Sequence, residues 1–396
     1  MAIDSIDTEA ALVTEAVDRL LATCDPAAVP EQEFLEAQFD AGLAWVHFPV
    51  GWGGLDVSPK LQKLVIERIA AAGGPIGGAR NPIGYGMCAP AVLTHGTDAQ
   101  RALLRPLFSN EHIWCQLFSE PGAGSDVASL AMRADRDGDE WVVNGQKVWT
   151  TLAHISRYGL LIARTDPDVT KHRGITAFIV DMESDGVEVR PLRQMTGEAE
   201  FNEVYFTDVR IPDELRLDAE GKGWGVSITT LMNERVSIGG GTPPRGSGPI
   251  GQLVELWRKQ GSDDPVARDR VTALWIQAEV NRLTNLRAAA NRRSGTPGPE
   301  GSVAKLAMAE LNKAIYSTAM DLLGAEGMTY GSYDLVRPRH ALFTDDMHKN
   351  FLRARANSIE GGTSEVLRNI LGERVLGLPG DVRVDKELPW REVPRS

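Results

Sequence analysis

The sequence has few of the residues that build disulfide frameworks or metal centres. Its 396 residues include three cysteines, Cys24, Cys88 and Cys115, an odd number spread far apart. This spacing gives no disulfide framework and fits a reducing compartment, so we expect a cytoplasmic protein. The seven histidines lack His-x-x-x-His spacing, and the cysteines lack Cys-x-x-Cys spacing. We therefore expect no bound metal ion.

Long runs of one residue type are also missing. The formal net charge is −12, and no cluster of lysines and arginines stands out. We expect no binding to nucleic acid, because neutralising phosphates needs a basic surface. No run of about 18 apolar residues could span a membrane. The N-terminus is acidic and lacks the basic and apolar regions of a signal peptide. The length predicts two or three domains.

The periodicity of apolar residues changes twice along the chain. Helical spacing predicts helices over 5–24, 31–43, 60–72, 83–93 and 99–107. Short alternating runs predict strands over 113–118, 131–134, 141–143, 159–163, 175–180, 187–189 and 203–206. Helical spacing then returns over 223–238, 249–259, 264–293, 302–323, 343–357 and 363–375, with a Gly/Pro loop at 291–301. The order helical, β, helical indicates an α+β protein with a compact middle barrel or sandwich.

Residues 115–126, CQLFSEPGAGSD, form the stretch around which the rest is organised. An apolar run ends at Ser119, and Pro121 lacks the backbone donor that would continue a strand. The glycines let the backbone approach a ligand, and free amides and hydroxyls supply hydrogen-bond donors. Such a corner suits a polar, partly anionic ligand, although many glycine-rich corners are only turns.

Two further blocks make the pattern specific. Residues 144–151 read NGQKVWTT, and residues 359–370 read IEGGTSEVLRNI. The three blocks, in this order, resemble the acyl-CoA dehydrogenase family. The resemblance implies a helical N-terminal domain (1–112), a middle β domain (113–220) and a C-terminal four-helix-type bundle (221–396). It also implies FAD as cofactor and the introduction of an α,β double bond into an acyl-CoA in lipid metabolism, such as fatty-acid β-oxidation.

The resemblance assigns roles to particular residues. The strand end from Leu117 through Phe118 to Ser119 would contact the flavin pyrimidine, and the Gly124 loop would bind the cofactor. Ser125 would bridge flavin and CoA. Four more positions complete the implied set, with Trp149 and Thr151 flanking the flavin ring and its N5, and Thr363 and Glu365 lying near the diphosphate and adenosine.

Dehydrogenation next to a thioester also needs a base for the α-proton. A carboxylate can serve if burial raises its pKa and the carbonyl oxygen is stabilised opposite it. In most of the family the base directly precedes Gly-Thr-Ser, where this chain has Gly361, whose amide is then a candidate partner for the thioester oxygen. Some subfamilies place a glutamate before an arginine on the first helix of the last domain, and Glu234 fills that position. Glu360 competes with it, offset by one residue from the usual place.

Arg235 belongs to the same candidate site as a substrate-binding residue. On a helical wheel Trp224, Ile228, Leu231 and Arg235 share one stripe, while Glu234 lies at its edge. A guanidinium on an apolar stripe is costly without a partner. Either an unseen carboxylate pairs with it, or it helps to shape the active site.

The chain departs from the family in three places. The Arg-x-x-Phe-Gly segment is missing near 257–265, and Asp321 replaces the glutamine of a later glycine-containing segment. Both segments reach the flavin of a neighbouring subunit in the resembling family. Their loss predicts a heterotetramer with a related subunit, and the alternative is a homo-oligomeric dimer of dimers in which Arg268, Arg270 or Arg287 takes over the phosphate contact. Residues 239–249, GGGTPPRGSGP, interrupt a helix that usually continues. This loop predicts room for a branched or ring-bearing acyl group.

Other functions stay open on this scaffold. The expected electron acceptor is an electron-transfer flavoprotein or a similar protein. An oxidase or monooxygenase would pass electrons to oxygen instead. A non-catalytic subunit that only shapes a partner's site is a third reading, which the degraded segments favour and Glu234 disfavours.

Overall fold

The computed structural model describes residues 2–75, 78, 80–239, 242–261, 263–291, 301–339, 346–380, 382 and 385–394. Its N-terminal part is helical, and the helices are α1 Ala2–Thr23, α2 Glu31–Asp40, α3 Gln62–Ala71, α4 Ala89–His95, α5 Asp98–Arg101 and α6 Leu104–Phe108. Short helical turns precede α3 at Pro59–Leu61 and α4 at Gly84–Cys88. Thr97 caps α5 in a reciprocal arrangement with Gln100, which satisfies two backbone donors at its start.

The middle part is one sheet of eight strands. They are β1 Trp114–Leu117, β2 Arg133–Asp137, β3 Glu140–Thr151, β4 Tyr158–Arg164, β5 Ile175–Asp181, β6 Val187–Pro191, β7 Phe201–Pro212 and β8 Arg216–Leu217. Their order across the sheet is β6-β7-β3-β2-β4-β5-β8, and β1 pairs in parallel with β4. β4 and β5 are almost wholly buried, as expected for strands covered on both faces.

Helices return after the sheet. They are α7 Gly223–Gly239, α8 Pro249–Gln260, α9 Pro265–Asn291, α10 Gly301–Leu323, α11 Met347–Asn357 and α12 Ser364–Ile370, followed by a π-helical turn at Leu371–Val375. Part of the predicted helix 343–357 and most of the predicted loop 291–301 lie outside the described residues. The helical, β, helical order of the α+β prediction is confirmed.

The first contact between the parts is a shared core. Buried residues of α2, α4, α6, β1, β4 and β5 form one apolar cluster, which Val226 of α7 joins. Gly223, at the start of α7, lies so close to β5 that an added Cβ would meet the Thr176 carbonyl carbon at 2.6 Å. Only glycine therefore allows this approach, and it fixes where α7 begins against the sheet.

The buried face of α7 differs from the predicted stripe. Val226, Ser227 and Thr230 are fully buried, whereas Ile228 is 39% exposed. The two hydroxyls donate to backbone carbonyls four residues back, Ser227 to Gly223 and Thr230 to Val226. Because these donors are satisfied within the helix, burying them costs little.

Two other details of the prediction were wrong. The expected short strand at 141–143 and the separate segment 144–151 are one continuous strand, β3. The two-residue strand β8 was not predicted. Both differences come from pairing partners far along the chain, since β3 runs beside β7 and β8 pairs with β5.

The last described segment returns to the sheet. Trp390 donates its backbone N–H to Val169 O at 2.8 Å, and its indole N–H reaches Ser129 O at 3.3 Å. Residues 385–394 therefore pack on the middle part, although the domain limits we propose from sequence place them with the C-terminal helices.

The described ranges contain neither a candidate membrane span nor a candidate metal centre. None of the helices described there is both long and apolar enough to cross a membrane. Within the same part of the chain, no group of three or more His, Cys, Asp or Glu side chains is arranged to hold a metal ion.

Candidate active site

One side chain of β1, that of Gln116, lies against α7, whereas the neighbouring side chains are buried in the apolar cores. Leu117 and Phe118 are buried, Leu117 in the sheet core and Phe118 in the core shared with α4 and α7. Any contact of these two residues with a cofactor therefore runs through their main chain. Gln116, between Cys115 and Leu117, reaches the carboxylate of Glu234 on α7 with its side chain. The strand end and the candidate base are thus neighbours.

A buried ion pair fixes the strand end against β3. Lys147 is fully buried and donates to Phe118 O at 2.9 Å and to Glu120 Oε1 at 2.8 Å. Glu120 also accepts the backbone N–H groups of Ala131 and Met132 at 2.7 and 3.0 Å. Burial lowers the pKa of Lys147, and the Glu120 carboxylate opposes that shift. The pair determines how the loop after β1 leaves the sheet.

Trp149 presents its ring at the surface of the same region. It is 57% exposed, with a backbone φ of 60°, and the β3–β7 register breaks between Lys147 and Thr150. A non-glycine residue with positive φ is uncommon and frequently functional. The ring packs edge-on against Phe201 with centroids 5.8 Å apart. Thr151, the last residue of β3, is half-buried beside it.

The glycine-rich loop is open. Nothing lies within 4 Å of a Cβ added at Gly122 or Gly124, and Ser119 is half-buried while Ser125 is exposed. Lys171 anchors the end of the loop by pairing with Asp126 at 2.8 Å. The loop can therefore receive a partner without displacing protein atoms.

Glu234 has the properties required of a base. Its Oε2 is buried and forms no hydrogen bond among the described residues. Burial is the main cause that raises its pKa to about 7, and Glu360 adds to the rise. Hydrogen bonding from Gln116 and the charges of Arg235 and Lys305 act in the opposite direction. A carboxylate poised near neutral pH with a free oxygen can both take and hold a proton.

Glu360, the competing carboxylate, is already occupied. Arg353 holds it in a fork, with N–O distances of 3.1 and 2.8 Å, and Asn357 donates to Oε1 at 2.8 Å. These hydrogen bonds occupy lone pairs that a base would use. The structure thus separates the two glutamates by their partners.

Gly361 lies in the turn after Glu360 with a φ of 62°, and Gly362 follows with a φ of 91°. These left-handed conformations favour glycine and expose successive backbone N–H groups. The position that usually carries the base is therefore a bare turn here.

Arg235 is partly buried beside the base. Burial lowers its pKa, Glu234 raises it and the nearby Arg374 lowers it. Its guanidinium forms no hydrogen bond or ion pair within the described part of the chain. The sequence left open a carboxylate partner or a role in shaping the active site. Among the described residues, no separate carboxylate pairs with Arg235.

The remaining predicted residues lie at the start of α12. Thr363 caps the helix by accepting the Val366 N–H at 3.1 Å. Glu365 is exposed and pairs with Arg368 at 3.5 Å. Neither has a contact with the β1 loop among the described hydrogen bonds and ion pairs.

Phe201 links the two regions that the sequence could not join. It touches Trp149 on one side and lies 5.5 Å from the Arg353 guanidinium on the other. Arg353 in turn holds Glu360, next to Gly361. Gln116, Arg353 and Lys305 were missed as site residues. Their only signal was a polar residue in an otherwise apolar strand or helix, which also marks many structural side chains.

The predicted open loop borders a cavity, although Gly240 and Gly241 are outside the described residues. Pro243, Pro244, Gly246 and Ser247 line one side of a volume of about 220 Å³. α8, α9 and α10 line the rest, with no residue of α7. The cavity therefore lies within the C-terminal helices and does not border the carboxylate of Glu234.

Comparison with known proteins identifies the class. Models of the acyl-CoA dehydrogenase N-terminal, middle and C-terminal domains match residues 6–111, 115–209 and 221–376. The chain belongs to the acyl-CoA dehydrogenase family and is an oxidoreductase.

Individual relatives sharpen the comparison. The chain is 38% identical over 363 residues to acyl-CoA dehydrogenase FadE34 of Mycobacterium tuberculosis, covering 90% of this chain but only 48% of that protein. It therefore spans about half the length of that relative. It is 37% identical over 345 residues to acyl-CoA dehydrogenase IpdE1 of the same organism, covering 87% of this chain and 86% of that one.

Two solved structures have the same fold. A chain of the ChsE4-ChsE5 complex from Mycobacterium tuberculosis is 28% identical with a TM-score of 0.69, over 94% of this chain and 98% of that one. A chain of the Tcur3481-Tcur3483 steroid acyl-CoA dehydrogenase is 25% identical with a TM-score of 0.69, over 94% and 98%.

Proposed function

We propose that this protein is an FAD-dependent acyl-CoA dehydrogenase in which Glu234 removes the α-proton of the thioester. The observation that carries the proposal is the carboxylate of Glu234. It is buried, has an oxygen without a partner, and has a pKa near 7 beside the end of β1. Family membership supplies the reaction class, and Glu234 supplies the chemistry within this chain.

The residues present fit a flavin. The glycine-rich loop is open, the Trp149 ring is exposed beside it, and the buried Lys147–Glu120 pair holds the strand end rigid. Main-chain groups from Leu117 to Ser119, with the Gly124 loop, Ser125 and Thr151, would hold the flavin, and Thr363 and Glu365 would lie near its diphosphate end. When bound, the flavin accepts the β-hydrogen with its electron pair.

The protein's own groups perform the rest. Oε2 of Glu234 receives the proton, and burial keeps water from competing for it. The Gly361 N–H donates to the thioester oxygen, where negative charge develops as the proton leaves. The pairing of Glu360 with Arg353 keeps the turn that carries Gly361 in place.

A straight-chain and a ring-bearing acyl-CoA provide the test and a prediction about the substrate. Added without oxygen to the yellow protein, both should bleach the flavin band, and the ring-bearing thioester should have the higher specificity constant. The likeness to a steroid acyl-CoA dehydrogenase supports the second part, whereas the 220 Å³ cavity does not, because it lies away from Glu234.

A protein that bleaches with neither thioester contradicts the proposed function. A clear preference for unbranched medium chains contradicts only the bulky substrate. Oxygen uptake matched to turnover would instead favour the oxidase or monooxygenase. Turnover with a dye or an electron-transfer flavoprotein as acceptor, without oxygen uptake, favours the dehydrogenase.

We also propose that the chain works with a related subunit. The likeness to one chain of a two-protein complex supports this, as does the loss of the Arg and Gln segments. Asp321, at the lost Gln position, is paired with Arg270 at 2.6 Å. That pairing weakens the repulsion of a pyrophosphate and occupies one of the arginines that could replace the missing contact.

Flavin content measures the assembly. Expressed alone, the chain should hold flavin weakly and lose it on gel filtration, because charge-assisted phosphate contacts are absent. Expressed with a related chain that carries the Arg and Gln segments, it should retain one flavin per pair of chains. Full and stable occupancy in the chain alone, with activity, would support the homotetramer, with Arg268 or Arg287 as substitute contacts.

A further inference from the structure

Lys305 on α10 is a buried lysine that the mechanism above does not use. Its side chain is fully buried. The ammonium donates to Asn357 O at 2.8 Å and to Gly362 O at 2.7 Å. No carboxylate lies within 4.0 Å of it in the described part of the chain. Lysine is rarely buried without an anionic partner, because removing the ammonium from water is costly.

The two carbonyls belong to the turn that contains Gly361. Asn357 ends α11 and Gly362 follows Gly361, so Lys305 ties together both ends of the segment between them. Asn357 also donates to Glu360, and Asn312 of α10 donates to Asn357 Oδ1 at 3.3 Å. The turn is therefore fastened to α10 at three points, and its left-handed glycines cannot hold the shape alone.

Four elements place polar or charged groups around the carboxylate of Glu234. β1 contributes the uncharged Gln116, α7 contributes Arg235, α10 contributes Lys305, and the turn contributes Glu360. Lys305 itself faces Glu360, Glu234 and Glu310 as anions and Arg235 as a cation. Glu360 raises the pKa of Glu234 even though Arg353 pairs with it, and Arg235 and Lys305 are the cations that oppose the rise.

We propose that Lys305 is a positioning residue for the reaction, which fastens the turn carrying the Gly361 amide and supplies positive charge that favours the ionised carboxylate of Glu234. The inference rests on the proposed function of Glu234 and Gly361. The electrostatics agree with the second role, since the charge of Lys305 lowers the pKa of Glu234 against the larger effect of burial. Burial lowers the pKa of Lys305 itself, and its carboxylate neighbours oppose that shift.

Lys305→Met removes the charge and keeps the length, whereas Lys305→Arg keeps the charge. Lys63→Met, at an exposed lysine of α3, is the matched control. The first readout needs no cofactor. The carboxyl stretch of Glu234, identified as the infrared difference between the wild type and Glu234→Gln, is followed as a function of pH. Its titration midpoint should rise in Lys305→Met and stay in place in Lys305→Arg and in the control.

The second readout is flavin reduction by an acyl-CoA. At pH 7 the rate constant should fall about fivefold in Lys305→Met and recover as the pH rises, because a one-unit rise from a pKa near 7 lowers the ionised fraction of the base at pH 7 from about a half to about a tenth. The third readout compares a thioester with a thioether analogue that lacks the carbonyl. Lys305→Met should weaken only the thioester, by about fivefold to tenfold, the scale of one hydrogen bond.

The outcomes distinguish this inference from the function itself. An unchanged infrared midpoint in Lys305→Met overturns the charge role, even if no thioester reduces the wild type. Equal loss of thioester and thioether binding overturns the role in positioning Gly361. If Lys305→Met does not fold, a shifted midpoint in Lys305→Arg overturns the charge role, and an unshifted one supports it. If no thioester reduces the flavin of the wild type, only the proposed function is contradicted.

Discussion

Glu234→Gln should lose at least about 10² in the rate of flavin reduction by an acyl-CoA, while flavin content stays near that of the wild type. The loss has the size expected for a positioned general base. Glutamine keeps the volume and can still contact Gln116, but it cannot accept the α-proton. In the wild type the rate should rise with pH through about 7, because the base must be ionised and its pKa lies near that value.

Glu360→Gln is the matched control, since it makes the same change at a neighbouring carboxylate that Arg353 and Asn357 already hold. It should lower the rate less than Glu234→Gln does and move the pH profile to lower pH, because Glu360 adds to the rise in the pKa of Glu234. Single-turnover absorbance measurements compare the two variants directly. Near wild-type reduction in Glu234→Gln, together with loss in Glu360→Gln, would assign the base to Glu360.

Lys147→Met should lower the free energy of unfolding by about 3–5 kcal/mol, the usual cost of removing one partner from a buried ion pair. Glu120 would remain buried, with two backbone N–H donors but no cation. The strand end that Lys147 holds through Phe118 O would also be released, so flavin retention should fall. Urea denaturation followed by tryptophan fluorescence measures the first effect, and flavin absorbance after gel filtration measures the second.

Two companion variants isolate the cause. Lys63→Met breaks an exposed pair and should cost less than about 1 kcal/mol. The double variant Glu120→Gln with Lys147→Met removes both charges and should recover part of the lost stability, since no uncompensated carboxylate remains. Equal urea midpoints for Lys147→Met and the wild type would show that the buried pair does not stabilise the sheet.

Local pattern was sufficient for the architecture. Apolar periodicity changes from helical to alternating and back, and each change reflects which face of an element is buried, a property that neighbours in sequence reveal. The family resemblance was equally local, because the three blocks 115–126, 144–151 and 359–370 are contiguous in the chain. Errors arose where long-range pairing decides, as for the full length of β3 and for β8.

The fold class, the family and the two carboxylates that could serve as base follow from the residues alone. The different environments of the two carboxylates depend on tertiary packing. Glu360 meets Arg353 of the preceding helix α11, while Glu234 meets Gln116 of β1 across the boundary between sheet and helices. The same holds for Lys305, whose burial and carbonyl partners depend on how α10 packs against the turn after α11. A pKa depends on solvent exclusion and on charges that folding brings near, and neither is encoded in the residues next to it in the chain.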